Sequence, residues 1–374
     1  MAAGLRIAFF GSSLVSAYWN GAATYYRGII RALHELGHNI TFYEPDAYDR
    51  QQHRDLENPD YATVVVYGTA DESDALRMVE EAGQCDIIIK TSGVGVFDEL
   101  LEAAVLTQKK ENNLIFFWDV DAPATLERLQ QNQMDPFRRL IPHYDAIFTY
   151  GGGPRVVNSY RRLQARGCYP IYNAVDPLTH HQVEHDPRFA GACGFLGHRL
   201  PDREARVEEF FLKPAARLPD QRFLLGGNGW GDKPMPPNVD YMYYVSPQSH
   251  NAFNCTLQTV LNINRSSMAH TGFSPPTRVF EAAGAGACLI TDAWEGIAHF
   301  LEPGQEVLVA ENGDAVVEHL SSLDQQQARA IGQAAQRRVL NEHTYSHRAQ
   351  QFTEILEGKA LKYPAVSQRA GMYT

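Results

Sequence analysis

"RVFEAAGAGACLITDAWEG" runs from Arg278 to Gly296, and its pattern repeats along the chain. Arg278 and Glu281 open a helical stretch, six small residues from Ala282 to Ala287 make a tight connection, and the apolar run "CLIT" stops at Asp292. Helix, close turn, buried strand and polar loop form one unit of a parallel sheet. The Arg278 and Glu281 spacing fits an i,i+3 ion pair on a surface helix. It fits equally a ligand site where the neighbouring strands end.

Outward from this stretch, short apolar runs alternate with helical ones. The pattern predicts strands at about 5–10, 38–43, 62–67, 85–90, 113–118 and 145–150, then at about 192–196, 221–226, 239–244, 257–263, 286–291 and 305–309. Between the two series lies "NAVDPLTHHQVEHDPRFAG", polar and proline-bearing. At 374 residues the chain exceeds what a single core supports. The expected organisation is a first Rossmann-like domain at 1–172, a linker at 173–190, a second Rossmann-like domain at 191–345, and a C-terminal helix and tail at 346–374. The fold class is therefore α/β, with two doubly wound domains facing a central cleft.

A net charge of −11 argues against broad nucleic-acid or anionic-membrane binding, since both need a positive surface. The apolar core of "MAAGLRIAFFGSSLVS" is only Ile7 to Phe10, too short for a signal peptide or a membrane span. Five scattered cysteines without CxxC spacing read as reduced thiols, so a cytoplasmic location is expected, with no disulfide framework. In "THHQVEH" the spacing of His181 and His185, with His180 and Glu184 nearby, would suit a metal only on a helix. The flanking prolines disfavour one, so no metal site is expected.

Doubly wound sheets bind ligands at the carboxyl ends of their strands. The loops there are "GSSLVSAYWNG" (11–21), "TSGVG" (91–95), "DVDAP" (119–123) and "GGGP" (151–154), then "GHR" (197–199), "GGNGW" (226–230), "NRSS" (264–267) and "TDAWEG" (291–296). Glycine, serine, asparagine and aspartate crowd them, from ligand contact or from turn chemistry. GxxxxGK[ST], GxGxxG and GxSxG are absent, which disfavours a P-loop hydrolase, a dinucleotide oxidoreductase and a nucleophile-elbow hydrolase.

Taken in order, "FWDVDAPATLERL", "FTYGGGP", "GFLGHR", "RFLLGGNGW", "LNINRSSMAHTGFSPPTRVFEAAG" and "NEHTYSHRA" resemble the GT-B glycosyltransferases, and more narrowly their CgeB-type (spore-maturation-like) group. The resemblance implies transfer of a sugar from a nucleoside-diphosphate sugar to an unidentified acceptor, with no cofactor and no metal. A sugar-nucleotide 2-epimerase of the same fold and a non-catalytic sugar-nucleotide-binding subunit are the alternatives.

By the resemblance, Glu281 accepts from the ribose hydroxyls, and the small residues after it allow close approach to the nucleotide and the next strand. Arg278, Arg199 and Arg265 are candidates for the diphosphate, whose oxygens match a guanidinium fork. Gly197, His198, Asn228 and Asp292 complete the donor loops, and Trp230 would pack on the nucleobase. Related retaining enzymes carry a glutamate eight positions before Glu281, where this chain has Phe273. On the acceptor side Asp121 or Asp119 would act as base or bind the acceptor, an N-cap before Pro123 being the competing role for Asp121. Ser12, Ser13 and Asn20 would contact acceptor or sugar, Tyr18 and Trp19 would offer stacking faces, and Gly152 would donate a backbone N–H.

Overall fold

The computed structural model describes residues 4–18 and 20–358. Seven parallel strands form the first sheet, in the order β3-β2-β1-β4-β5-β6-β7. They are β1 (Arg6–Phe10), β2 (Asn39–Pro45), β3 (Thr63–Tyr67), β4 (Ile87–Thr91), β5 (Leu114–Asp119), β6 (Ala146–Thr149) and β7 (Cys168–Pro170). Six parallel strands form the second, in the order β10-β9-β8-β11-β12-β13. These are β8 (Cys193–Leu196), β9 (Phe223–Gly226), β10 (Val239–Met242), β11 (Thr259–Asn262), β12 (Leu289–Asp292) and β13 (Leu308–Ala310). Both sheets are doubly wound, since strand order reverses beside β1 and beside β8.

Helices cover both faces, so central strands have no wet side and read as unbroken apolar runs. "IIIKT" of β4 is buried throughout, and Ile7 of β1 pairs in register with Ile40 and Ile87. The Ala23–Glu35 helix buries Tyr25, Tyr26, Ile29, Ile30 and Leu33, one apolar stripe against the sheet. Every strand expected from the apolar runs is present, with ends shifted by a few residues. Only β7 has no counterpart among those runs: three residues ending in a proline carry no alternation, and proline is tolerated there because β7 is an edge strand.

The chain between β7 and β8 lies over the second domain. Val175 bridges Thr344, and from His181 to His185 the backbone is neither helix nor strand, so the His181 and His185 spacing does not bring the two rings to one face. This segment corrects the reading of the small residues. Gly284 and Gly286 stand at the far end of the Thr277–Gly284 helix, away from its start. A Cβ on Gly284 would come 2.5 Å from Val175 Cγ2 and 3.0 Å from the His180 carbonyl, and one on Gly286 would strike Gln182. They are small to let the connecting chain cross the helix.

The Tyr345–Leu356 helix returns to the first domain. Phe352 is fully buried against Phe116, Trp118 and Phe148, and Tyr345 fills a seat where Gly28 has no side chain. Buried Arg348 donates to the carbonyls of Tyr172 (3.1 Å) and Asn173 (3.3 Å). No described helix is long and apolar enough to cross a membrane. The Phe352→Ala substitution leaves a cavity beneath Trp118, so it should cost the first domain about 3–5 kcal/mol. A lowered denaturation midpoint, followed by urea titration, checks this.

Candidate active site

Loops from the carboxyl ends of the two sheets meet each other. The Gly152 N–H donates to the Phe273 carbonyl (2.7 Å), Asn173 Nδ2 donates to the Pro275 carbonyl (3.0 Å), and Arg155 pairs with Glu295 (3.1 Å). Arg265 stands between Asp202 of its own domain (2.8 Å) and Asp121 of the other (3.7 Å). Phe273 takes a left-handed backbone (φ 44°), and its ring fills the space left by Gly153 and Gly296. Phe273 is thus an aromatic wedge between the two domains.

Glu281 lies on the Thr277–Gly284 helix of the second domain, its side chain 15% exposed. His180 Nε2 is 3.9 Å from its Oε1. Burial would raise the Glu281 carboxyl, but His180, Arg278 and His250 around it outweigh burial and hold it below its usual value. The Arg278 side chain makes no hydrogen bond or ion pair among the described residues, so the i,i+3 pair with Glu281 is not formed. Burial lowers its pKa, opposed by Glu281.

Arg203, in the Pro201–Val207 helix after β8, is a further member of the site that no sequence motif singles out. Its Nε is buried without a partner, and its guanidinium rests over Gly197, where a Cβ would come 2.9 Å from Nη1. Burial, then the neighbouring Arg278, lower its pKa to about 10. "HRLPDREAR" offers Arg199, Arg203 and Arg206 close together, but Asp232 and Asp292, which pair with two of them, are remote in sequence. Arg206 is tied to Asp292, and Arg199 to Glu204 (2.7 Å) and Asp232 (2.9 Å). Arg203 is the one of the three with no carboxylate within ion-pair distance among the described residues.

Several expected donor contacts are therefore reassigned. Arg199 also donates to the Gly229 carbonyl, so its guanidinium braces the loop and has no free edge for phosphate. Asp292 is fully buried, pairs with Arg206 and accepts from the Asn264 N–H (3.1 Å), which makes it internal scaffolding. Trp230 is fully buried, and its Nε1–H donates to the Gly197 carbonyl (2.7 Å), so no face is left for a nucleobase. His198 Nδ1 accepts from the Asn228 N–H (3.1 Å), joining these two loops at the sheet's carboxyl edge.

In the first domain β5 ends at Asp119, so Asp119 and Asp121 do not share a direction. Asp119 is wholly buried and accepts from Tyr160 Oη (2.5 Å), Ser92 Oγ (2.8 Å), Thr125 Oγ1 (2.9 Å) and the Asp121 N–H (3.1 Å). A carboxylate with both oxygens engaged by the protein and no solvent path is a brace, which disfavours it as a base. Asp121 keeps its side chain 44% exposed, takes the N-cap position of the Ala122–Gln131 helix and makes no side-chain cap bond. Burial raises its pKa, and Arg265 opposes this.

Ser12 Oγ donates to Asn20 Oδ1 (2.9 Å), Ser13 Oγ to buried Glu44 (3.0 Å), and Asn20 Nδ2 to the Ser13 carbonyl (2.8 Å). These side chains hold their own loop, so the acceptor contacts expected of them are already taken. The Gly152 N–H is likewise used by Phe273. Tyr18 is partly exposed and stacks on His53 at 4.1 Å, and Trp19 lies outside the described residues.

Residues 203–354 match the sequence family described as "Glycosyl transferase-like". No curated protein matches the chain in sequence. Among solved structures, HepE of Anabaena in complex with UDP and glucose is 13% identical at a TM-score of 0.67, covering 95% of this chain and 100% of its own. The sucrose-phosphate synthase of Thermosynechococcus elongatus is 12% identical at 0.69, covering 95% and 99%. A glycosyltransferase of Rickettsia africae is 11% identical at 0.60, covering 96% and 100%. The fold is GT-B, and residues 203–354 match the glycosyl transferase-like family.

Proposed function

We propose that the chain moves a sugar from a nucleoside-diphosphate sugar to an acceptor hydroxyl, holding the diphosphate with Arg203 and Arg278 and the ribose with Glu281. The observation that carries this is the unpaired state of two neighbouring, largely buried guanidiniums. Such charges are costly alone, and a doubly negative ligand between them removes the cost. Glu281, about one helical turn from Arg278, offers a carboxylate beside them that can accept from hydroxyls. The structural likeness to HepE bound to UDP and glucose supports a nucleotide donor. The narrower CgeB-type assignment rests on the ordered motifs in the sequence.

As the bond between sugar and phosphate breaks, negative charge grows on the diphosphate. Arg203, Arg278 and the start of the Thr277–Gly284 helix face that charge with fixed positive potential. This arrangement calls on no metal, so turnover should persist in excess EDTA. Asp121, across the cleft, takes the acceptor's proton. The five free cysteines accord with a reducing, cytoplasmic setting.

A thermal-shift panel of UDP, GDP, dTDP, ADP and CMP should give one selective rise in melting temperature, and no rise with any of them would overturn the reading. Diphosphate release that depends on added acceptor separates a transferase from an epimerase or a binding subunit. Glu281→Ala should weaken the selected nucleotide at least about tenfold, roughly the worth of one strong hydrogen bond to a charged group. Arg203→Gln removes a crowded charge, so the unliganded protein should melt about 2–4 °C higher while losing nucleotide affinity. The deprotonated form of Asp121 is the active one, so kcat should fall as pH drops through a pKa above the ordinary carboxylate value. Asp121→Asn should abolish that limb of the pH profile together with most of the rate.

A further inference from the structure

The histidine-rich segment between the domains has a role that metal binding does not explain. Of His180, His181 and His185, only His180 turns inward, and it is held from several sides. Its N–H donates to the Asp176 carbonyl (2.9 Å), the Leu178 N–H donates to Asp176 Oδ1 (3.0 Å), and Asn251 Nδ2 donates to the Thr179 carbonyl (2.9 Å). The turn is fastened to the first domain, since Asp176 Oδ2 pairs with Arg31 at 2.6 Å. Its carbonyl lies against Gly284, whose missing side chain makes the crossing possible.

The ring then has a defined orientation. Nδ1 lies 2.9 Å from Thr179 Oγ1, and Nε2 lies 3.9 Å from Glu281 Oε1, with the His180 side chain only 14% exposed. With Nδ1 against the Thr179 hydroxyl, Nε2 is the ring nitrogen turned to Glu281, and a proton there faces the carboxylate. At 3.9 Å the Nε2 edge of the ring steers Glu281 electrostatically without occupying its lone pairs, which stay open to hydroxyl donors.

We propose that His180 is a positioning residue of the donor site: it orients the Glu281 carboxylate for the ribose hydroxyls, so the interdomain segment takes part in nucleotide recognition. This rests on the reading of Glu281 as the ribose acceptor. The fastening of the same turn to Arg31 links that recognition to the first domain.

Calorimetry on the full chain tests it, using the nucleoside diphosphate selected by the panel and, in parallel, inorganic pyrophosphate, which has no ribose. His180→Ala should weaken the nucleotide about tenfold and leave pyrophosphate within about twofold, and His180→Gln, which restores an N–H donor, should recover most of the loss. Arg31→Gln should weaken the nucleotide several-fold in the wild-type background and add nothing in His180→Ala. Unchanged nucleotide affinity in His180→Ala overturns the proposal, as does equal loss for both ligands. Additive effects of the Arg31 and His180 substitutions overturn the link to the first domain. A wild-type chain that binds nucleotide no better than pyrophosphate refutes the ribose reading itself, a failure visible before any variant is made.

Discussion

Parallel pairing is the constraint from which the rest follows. A parallel strand can be reached only by crossing over a sheet face, so each helix packs on a face and each loop leaving a strand emerges at the same edge. In this chain it happens twice, and the two loop-bearing edges are turned toward each other. Asp121 after β5, Gly152 after β6, Arg265 after β11 and Glu295 after β12 meet for that reason alone. None of these residues is near its partner in sequence. The cleft is a consequence of topology before any residue in it is chosen for chemistry.

Within the cleft, charge balance distinguishes scaffold from site. Arg199, Arg206, Asp292 and Asp119 are each paired or hydrogen-bonded inside their own domain, and groups so held keep loops in place. Arg203 and Arg278 are not, and burial makes each cationic form expensive. A fold retains such a pair against its own stability where a ligand supplies the missing charge. Asp121 is the corresponding case across the gap, partly buried and faced by Arg265 at a distance too long for a tight pair. The unsatisfied groups on the two sides thus have opposite sign, as the proposed diphosphate and acceptor proton require.

The fold is legible in the sequence because doubly covered strands leave an unmistakable apolar run, and "IAFF", "IIIKT", "LIFFW" and "CLIT" are such runs. The helix that carries Glu281 is legible too, with the strand that follows it. The arginines cannot be ranked in this way, since what separates Arg203 from Arg199 is the position of Asp232 and Glu204, a matter of tertiary structure. Trp230 misleads for a related reason. A tryptophan among glycines looks like an exposed platform, but those glycines bring the backbone close enough for the Gly197 carbonyl to accept its N–H inside the core. Asp119 and Asp121 look equivalent only if strand alternation is carried past the end of β5, where the backbone in fact turns into the next helix.

The two sides of the interdomain junction differ in kind. On the cleft side it is made of the exposed Arg155 and Glu295 pair, worth little in water, of single hydrogen bonds such as Gly152 to Phe273, and of the Phe273 ring in its glycine seat. On the other side it is covalent and apolar. The chain crosses near Asn173–Val175 and returns near His343–Tyr345, the crossings are joined by the Val175 and Thr344 bridge, and Arg348 fastens the Tyr172 and Asn173 carbonyls to the last helix. Weak interactions facing strong ones define an axis, because any opening of the cleft breaks the former and turns about the latter. Opening therefore unseats Phe273 from Gly153, and the left-handed backbone of Phe273 is tolerated because Glu295 and Gly152 hydrogen-bond it on both sides when the domains meet.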